Sequence, residues 1–290
     1  MMRVKIMKSS RLLSAGFGLV LCFSLLLLTT KAIAAPNTYG ITNTRHNLLV
    51  PYAPGMAVGF YYNNYGEVCV YCHTPHGGSS TNAPLWNRAL PTGVYTPYSS
   101  STIDTNGGII PQPDGVSLAC LSCHDGTIAV DAIRNAPGSG SAWTGPVAPN
   151  HYALNPAGGV GSCLLCHNQD TFVGGNFTVA AFGQDLSNQH PISMNYPTAT
   201  QDPGFTPLGI SPWLQNGRIA WFDEGNPSRA DDNEIKLYSD GAGGYKVQCA
   251  TCHNPHGTLD PSSIGWVSLY PTFLRKSNSS SALCTTCHIK

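Results

Sequence analysis

The chain has 290 residues and no formal net charge, and only 10% of its residues are Asp, Glu, Lys or Arg, well below the usual quarter. Five of the fifteen Lys and Arg precede residue 35, whereas all fifteen Asp and Glu follow it. Beyond that residue, ten positive and fifteen negative side chains therefore leave a net charge of −5. This balance argues against binding to nucleic acid or to anionic membranes. A protein with so few charges has either an ordinary neutral surface or a surface that associates with copies of itself.

The first 34 residues have the pattern of a cleaved signal peptide. Four Lys and Arg lie within the first eleven residues, an apolar run spans 12–28, and residues 32–34 (Ala-Ile-Ala) resemble a small-x-small cleavage site. We expect cleavage after residue 34, export, and a single domain over 35–290. A retained membrane anchor is the alternative, but the apolar run is short for a span. Cys22 lies in this run and is expected to be removed with it.

The sequence Cys-x-x-Cys-His occurs five times. The copies are Cys69/Cys72/His73, Cys120/Cys123/His124, Cys163/Cys166/His167, Cys249/Cys252/His253 and Cys284/Cys287/His288. Each predicts covalent attachment of one haem c through its two thiols, with the histidine as the proximal iron ligand. A zinc or redox Cys-x-x-Cys needs no histidine at the next position, and five such histidines by chance are on the order of one in ten million. After cleavage no cysteine remains for a disulfide. Five covalently attached haem groups would instead supply the cross-links that disulfides give other exported proteins.

Five further histidines remain, one for each predicted iron. They are His46, His76, His151, His190 and His256. We predict that they are distal ligands and that every iron has two axial imidazoles. An ordinary surface role is the alternative for each histidine, and Met56 and Met194 are the fallback ligands.

His76 and His256 occupy the same place in a repeated nine-residue pattern, Cys-x-x-Cys-His-x-Pro-His-Gly, at 69–77 and 249–257. Each follows its motif histidine by only three positions, and so short a loop cannot wrap around a porphyrin. His76 and His256 must therefore each reach a haem other than the one bound by the adjacent motif. This constraint predicts closely packed haems, an arrangement that suits electron transfer.

The fold class expected from these patterns is a multihaem cytochrome c that is mostly coil. The 31 Gly and 22 Pro leave few windows with helical periodicity, so we predict short helices at the motifs and a core built from stacked haems. A haem-free insertion is expected near 196–248. Within it, 234–239 and 245–248 alternate polar and apolar residues around a Gly-rich turn and predict a β-hairpin at about 234–248. The acidic residues at 230–234 suit a solvated turn or, less simply, a calcium site.

Four segments, 69–77, 120–127, 186–191 and 249–257, resemble the multihaem c-type cytochromes of metal-respiring bacteria. The likeness is greatest to the extracellular cytochromes that polymerise into filaments, although this chain departs from them in haem number. The resemblance implies bis-histidine haems that stack in alternating parallel and T-shaped pairs. It also implies that His46, near the mature N-terminus, binds a haem iron of the next subunit in trans.

These observations lead to one leading hypothesis and two alternatives. The leading one is an extracellular pentahaem cytochrome, polymerised into a conductive filament, that passes electrons from redox partner cytochromes to acceptors such as metal oxides. The first alternative is a monomeric periplasmic electron shuttle. The second is a reductase with one open haem, which saturated irons would not allow. The sequence shows no Ser/His/Asp pattern and no phosphate-binding glycine loop, so we expect an electron carrier rather than an enzyme, without a membrane span after cleavage.

Overall fold

The computed structural model describes residues 40–48, 63, 65–103, 108–137, 152–165, 167–170, 176–259 and 270–289. All of them belong to one compact unit, 39–290. The predictions for residues 1–34, Met56, His151 and Cys166 lie outside the described residues. Within the described ranges, no helix is both long enough and apolar enough to cross a membrane.

Short helical turns mark all five Cys-x-x-Cys-His motifs, as the sequence predicts. The second motif ends helix α1 (Gly115–His124), the fourth forms helix α2 (Cys249–Cys252), and the fifth begins in helix α3 (Ala282–Thr285). The first and third motifs start in 3-10 turns at Val68–Tyr71 and Cys163–Leu165. Helices this short are not stable on their own, so contacts with the rest of the chain must hold them.

One antiparallel sheet contains four strands in the order β1 (Trp213–Gln215), β2 (Ile219–Phe222), β3 (Lys236–Ser239) and β4 (Tyr245–Lys246). The predicted hairpin is confirmed, because β3 pairs with β4. The sequence analysis missed β1 and β2, which extend the hairpin on the β3 side. All four strands fall within the segment 196–248, and the other described residues are mostly coil.

The largest apolar cluster lies on this sheet and supports the fifth motif. Trp213 and Leu237 are almost completely buried in it, and Met194 belongs to the same cluster. Met194 thus has a packing role, although the sequence also allowed it as an iron ligand. Leu283 and Cys287 of the fifth motif pack against the cluster, so the sheet positions that motif.

Glu234 holds the acidic turn that precedes β3. Its side chain is buried, and its carboxylate accepts hydrogen bonds from the backbone N–H groups of Glu224 (2.9 Å) and Asp231 (2.6 Å). Backbone amides therefore occupy the carboxylate that a calcium site would use. No group of three or more His, Cys, Asp or Glu in the described ranges could hold a metal ion.

We expect the substitution Glu234→Gln to lower the free energy of unfolding by about 2 kcal/mol, because an amide NH2 would face one of the two N–H donors. Calorimetry of the full chain measures this loss. Glu67→Gln is the control, since Glu67 is exposed and the change there should have almost no effect. Equal unfolding temperatures for both variants would contradict the structural role of Glu234.

Candidate haem-binding sites

One helical turn brings the reactive side chains of each motif together. The backbone N–H of the motif histidine donates to the carbonyl of the first cysteine, at 2.8 Å for His73, 2.9 Å for His167, 3.1 Å for His253 and 3.0 Å for His288. The second motif has the same turn inside α1. Both thiols and the imidazole therefore leave one turn of backbone, which is the arrangement that covalent haem attachment requires.

The motif histidines are oriented by backbone carbonyls from other parts of the chain. The Nδ1 atom of His73 lies 2.6 Å from the carbonyl oxygen of Pro84, and that of His124 lies 2.7 Å from Ala180 O. The corresponding distance from His253 to Thr272 O is 2.8 Å. A carbonyl can only accept, so Nδ1 must be the donor in each pair. The lone pair is then on Nε2, the atom left to bind a metal.

Two of the other histidines have the same arrangement. His46 Nδ1 lies 2.8 Å from the carbonyl oxygen of Pro255, and His190 Nδ1 lies 2.9 Å from that of Pro191. Their Nε2 atoms are therefore also left as acceptors. Ordinary surface histidines have no need of such a fixed tautomer, so this feature favours a ligand role for both.

Three pairs of histidine rings face each other at similar distances. The ring centroids lie 6.3 Å apart in His73–His256, 6.1 Å in His46–His124 and 6.5 Å in His190–His288. Metal–imidazole bonds of about 2 Å, with a ring centre about 1 Å behind each nitrogen, place two imidazoles on opposite sides of one metal with centres roughly 6 Å apart. The ring spacing therefore fits an iron between the members of each pair, and each pair joins one motif histidine to one of the five additional histidines.

Desolvation favours the neutral form of four described histidines, His46, His124, His253 and His256. Desolvation is the largest cause that lowers the pKa of His46 to about 4, against a smaller opposite effect of its hydrogen bond to Pro255. Desolvation is likewise the main cause that lowers the pKa values of His124, His253 and His256. Neutral imidazole is the form that binds iron.

Several motif cysteines lack the properties of zinc ligands or redox thiols, whereas a hydrogen bond from the Cys120 thiol lowers the pKa of Cys249. Burial raises the pKa of Cys72 to about 12, of Cys252 to about 11 and of Cys287 to about 12. Zinc sites and redox-active thiols require a lowered pKa, because the thiolate is the reactive form. No disulfide links the described cysteines.

Two predicted ligands are not paired in the described part of the chain. Neither the His76 ring nor the His253 ring forms a pair with another described histidine at the spacing of those three pairs. His167 stacks on Phe177 with ring centroids 4.3 Å apart. By count, His76 and His151 remain as distal ligands for the irons of His167 and His253, and His151 lies outside the described residues.

The sequence analysis missed a group of phenylalanines that lie against the histidines. Phe273 stacks on His46 at 4.2 Å and Phe182 stacks on His124 at 5.3 Å, while Phe205 lies 4.5 Å from His288. These rings limit the orientations that each imidazole can adopt. No periodic pattern marks them, so only the structure could identify them.

Arg88 was also missed, and it is the most fully bonded side chain near the motifs. Its guanidinium is buried, and all five N–H groups donate to Ser122 or to backbone carbonyls of residues 129–132. Ser122 lies inside the second motif, and Asn87, which precedes Arg88, donates its N–H to Cys72 O in the first motif at 2.9 Å. The dipeptide 87–88 therefore joins the first two motifs.

Comparison with known families gives a match for the fourth and fifth motifs. Residues 243–290 match the family described as the doubled CXXCH motif. A search of curated proteins finds no match for the chain. The doubled motif carries covalently bound c-type haem, and with the site geometry it points to the multihaem c-type cytochrome family.

Proposed function

We propose that this chain is an extracellular electron-transfer cytochrome that holds five haem c groups with two axial histidines each, and that copies of it polymerise into a conductive filament. The observation that carries the proposal is the set of three facing histidine pairs, whose ring spacing of 6.1–6.5 Å matches two imidazoles on one iron. The doubled CXXCH motif supports the same haem chemistry at the fourth and fifth motifs.

The chain's own residues supply binding, orientation and insulation. The motif cysteines would bind the porphyrin, the paired imidazoles would hold the iron from both sides, and the phenylalanines would limit movement of the rings. When bound, haem supplies a one-electron Fe(III)/Fe(II) couple. Because both axial positions are taken by nitrogen, a substrate has no open site, and this supports an electron carrier over a reductase.

The filament part of the proposal is supported by the surface. Charged side chains are only 10% of the sequence, so copies repel each other weakly. Val160 and Val179, which flank the third motif, are 92% and 75% exposed. Apolar side chains this exposed are favourable contacts for another protein surface. Redox partner cytochromes and extracellular acceptors such as metal oxides are the proposed donors and acceptors, and a periplasmic monomer with the same haems is the alternative.

The trans role that the resemblance implies for His46 remains a prediction. Three contacts within one chain favour a cis role instead: the His46 ring faces His124, stacks on Phe273 and donates to the carbonyl of Pro255. We therefore propose that His46 is the distal ligand on the His124 iron of its own chain.

We expect the exported protein to have the mass of a polypeptide that begins at Ala35 plus five haems. Intact-mass spectrometry measures this, and the pyridine haemochrome assay counts the covalent haems independently. Changing Cys120 and Cys123 together to Ser should remove one haem, because both thioether bonds of the second motif are lost. Fewer than five haems in the unmodified protein would contradict the proposed stoichiometry, whereas a different first residue would contradict only the cleavage site.

The variant His46→Ala distinguishes cis from trans ligation. A cis ligand predicts that the isolated monomer gains one high-spin haem, seen by electron paramagnetic resonance, and that added imidazole restores the low-spin signal. A trans ligand predicts an unchanged monomer spectrum and loss of filaments in electron micrographs. Thr42→Ala in the same segment is the control, since the Thr42 side chain is exposed and contacts no histidine ring among the described residues.

A further inference from the structure

Two segments of the chain fold back on their haem motifs in the same way. After the first motif, the carbonyl of Pro84 accepts from His73 Nδ1, and the carbonyl of Leu85 accepts from Thr74 N at 2.9 Å. Two residues later, Asn87 N donates to Cys72 O at 2.9 Å.

After the fourth motif the same three bonds recur in the same order. The carbonyl of Thr272 accepts from His253 Nδ1, and the carbonyl of Phe273 accepts from Asn254 N at 2.8 Å. Arg275 N then donates to Cys252 O at 2.8 Å. The backbone agrees as well, because Leu85 and Phe273 both adopt positive φ, 52° and 61°, which is uncommon for side chains of this size.

The next residue in each segment is basic and reaches the following motif. Arg88 donates from Nε to Ser122 Oγ at 3.2 Å, and Lys276 donates from Nζ to Thr286 Oγ1 at 3.4 Å. Ser122 and Thr286 hold the same position, directly before the second cysteine of the second and the fifth motif. Each segment therefore links one motif to the next along the chain.

We propose that residues 69–124 are a second copy of the two-haem module that the family comparison finds at 243–290. The two modules are joined head to tail, and the same joint continues between copies of the chain, with His76 of one copy on the His253 iron of the next. The proposal rests on the haem ligation proposed above.

The two modules differ in the lengths of their loops, which reduces their likeness in sequence. His73 precedes its carbonyl partner by 11 positions and His253 by 19, whereas Arg88 precedes the next motif by 32 positions and Lys276 by 8. Both modules share the hydrogen bonds between the motif and the segment that folds back on it. The loops that connect these parts can change length at a small cost in free energy.

The joint between the two modules is formed by a different motif on each side. The second motif of the first module meets the first motif of the second: Cys249 N donates to Ser117 Oγ at 3.0 Å, and Ser117 N donates to Gln248 Oε1 at 3.2 Å. Gln248 Nε2 in turn donates to Asp114 Oδ1 at 2.9 Å. In this joint His256 of the second module faces His73 of the first.

In the two modules His76 corresponds to His256, and His73 corresponds to His253. If a two-fold axis related the modules, His76 would therefore face His253 just as His256 faces His73. The structure brings no such ring pair together within one chain, among the residues described. The joint is therefore head to tail, so each module uses a different surface in it. One surface of each module is then left without a partner. The groups without such a ring pair among the described residues are His76 of the first module and His253 of the second. Repeating the joint between two copies would bring these two histidines together and extend the assembly without closing it.

The experiment compares His76→Ala with its module equivalent His256→Ala in the full haem-loaded protein. In dissociated monomers of the unmodified protein we expect one high-spin haem in five, which becomes low-spin on assembly. His76→Ala should give the same monomer spectrum, keep that high-spin haem after concentration, and form no filaments. His256→Ala should show a second high-spin haem already in the monomer, because its pairing is internal.

A third variant, His76→Met, guards against simple misfolding. Methionine can bind iron, so a methionine-to-iron charge-transfer band should appear only when this variant assembles. A monomer whose five haems are all low-spin, or normal filaments of His76→Ala, would overturn this inference and leave the proposed electron-transfer function intact. Fewer than five covalent haems would instead reject the proposed function itself.

Discussion

The hydrogen bond from a histidine Nδ1 to a backbone carbonyl is the interaction on which the rest of this structure depends. It is seen at His46, His73, His124, His190 and His253. Because a carbonyl has no proton to give, each bond sets the tautomer and the direction of the ring together. At His46, His124 and His253 desolvation also lowers the imidazole pKa, so these side chains are neutral, fixed and able to accept a metal through Nε2.

The remaining elements serve to bring those carbonyls to the right places. The sheet packs against Leu283 and Cys287 and so supports the fifth motif. The buried Arg88 ties the second motif to the segment that supplies the carbonyl for His73. Its planar, five-donor head suits this position, because a lysine could satisfy at most three of the acceptors around it. Regular secondary structure thus acts as a scaffold at the edges of the histidine network.

Part of this arrangement could be predicted from sequence because it is local. A Cys-x-x-Cys-His motif is one helical turn wherever it occurs, and the Gly-rich turn at 240–244 between two alternating segments indicates a hairpin. The β1 strand could not be predicted, since its three residues are too few to show alternation. The histidine count predicts a set of distal ligands but not their pairing. His256 and His73 are 183 positions apart in the sequence, and which rings face each other depends on how distant segments return to the motifs.

The unusual composition of the chain follows from the same interaction. In a helix or a sheet the backbone carbonyls are already taken by backbone N–H groups, so few are left to orient imidazoles. Carbonyls become available where the chain leaves regular structure. Pro84, Pro191 and Pro255 supply three of the five carbonyls that hold histidine Nδ1 atoms. Proline has no N–H and interrupts helices and sheets, yet it keeps its carbonyl as an acceptor. A chain with 22 Pro and 31 Gly therefore gives up secondary structure and retains the acceptors that a network of fixed histidines requires.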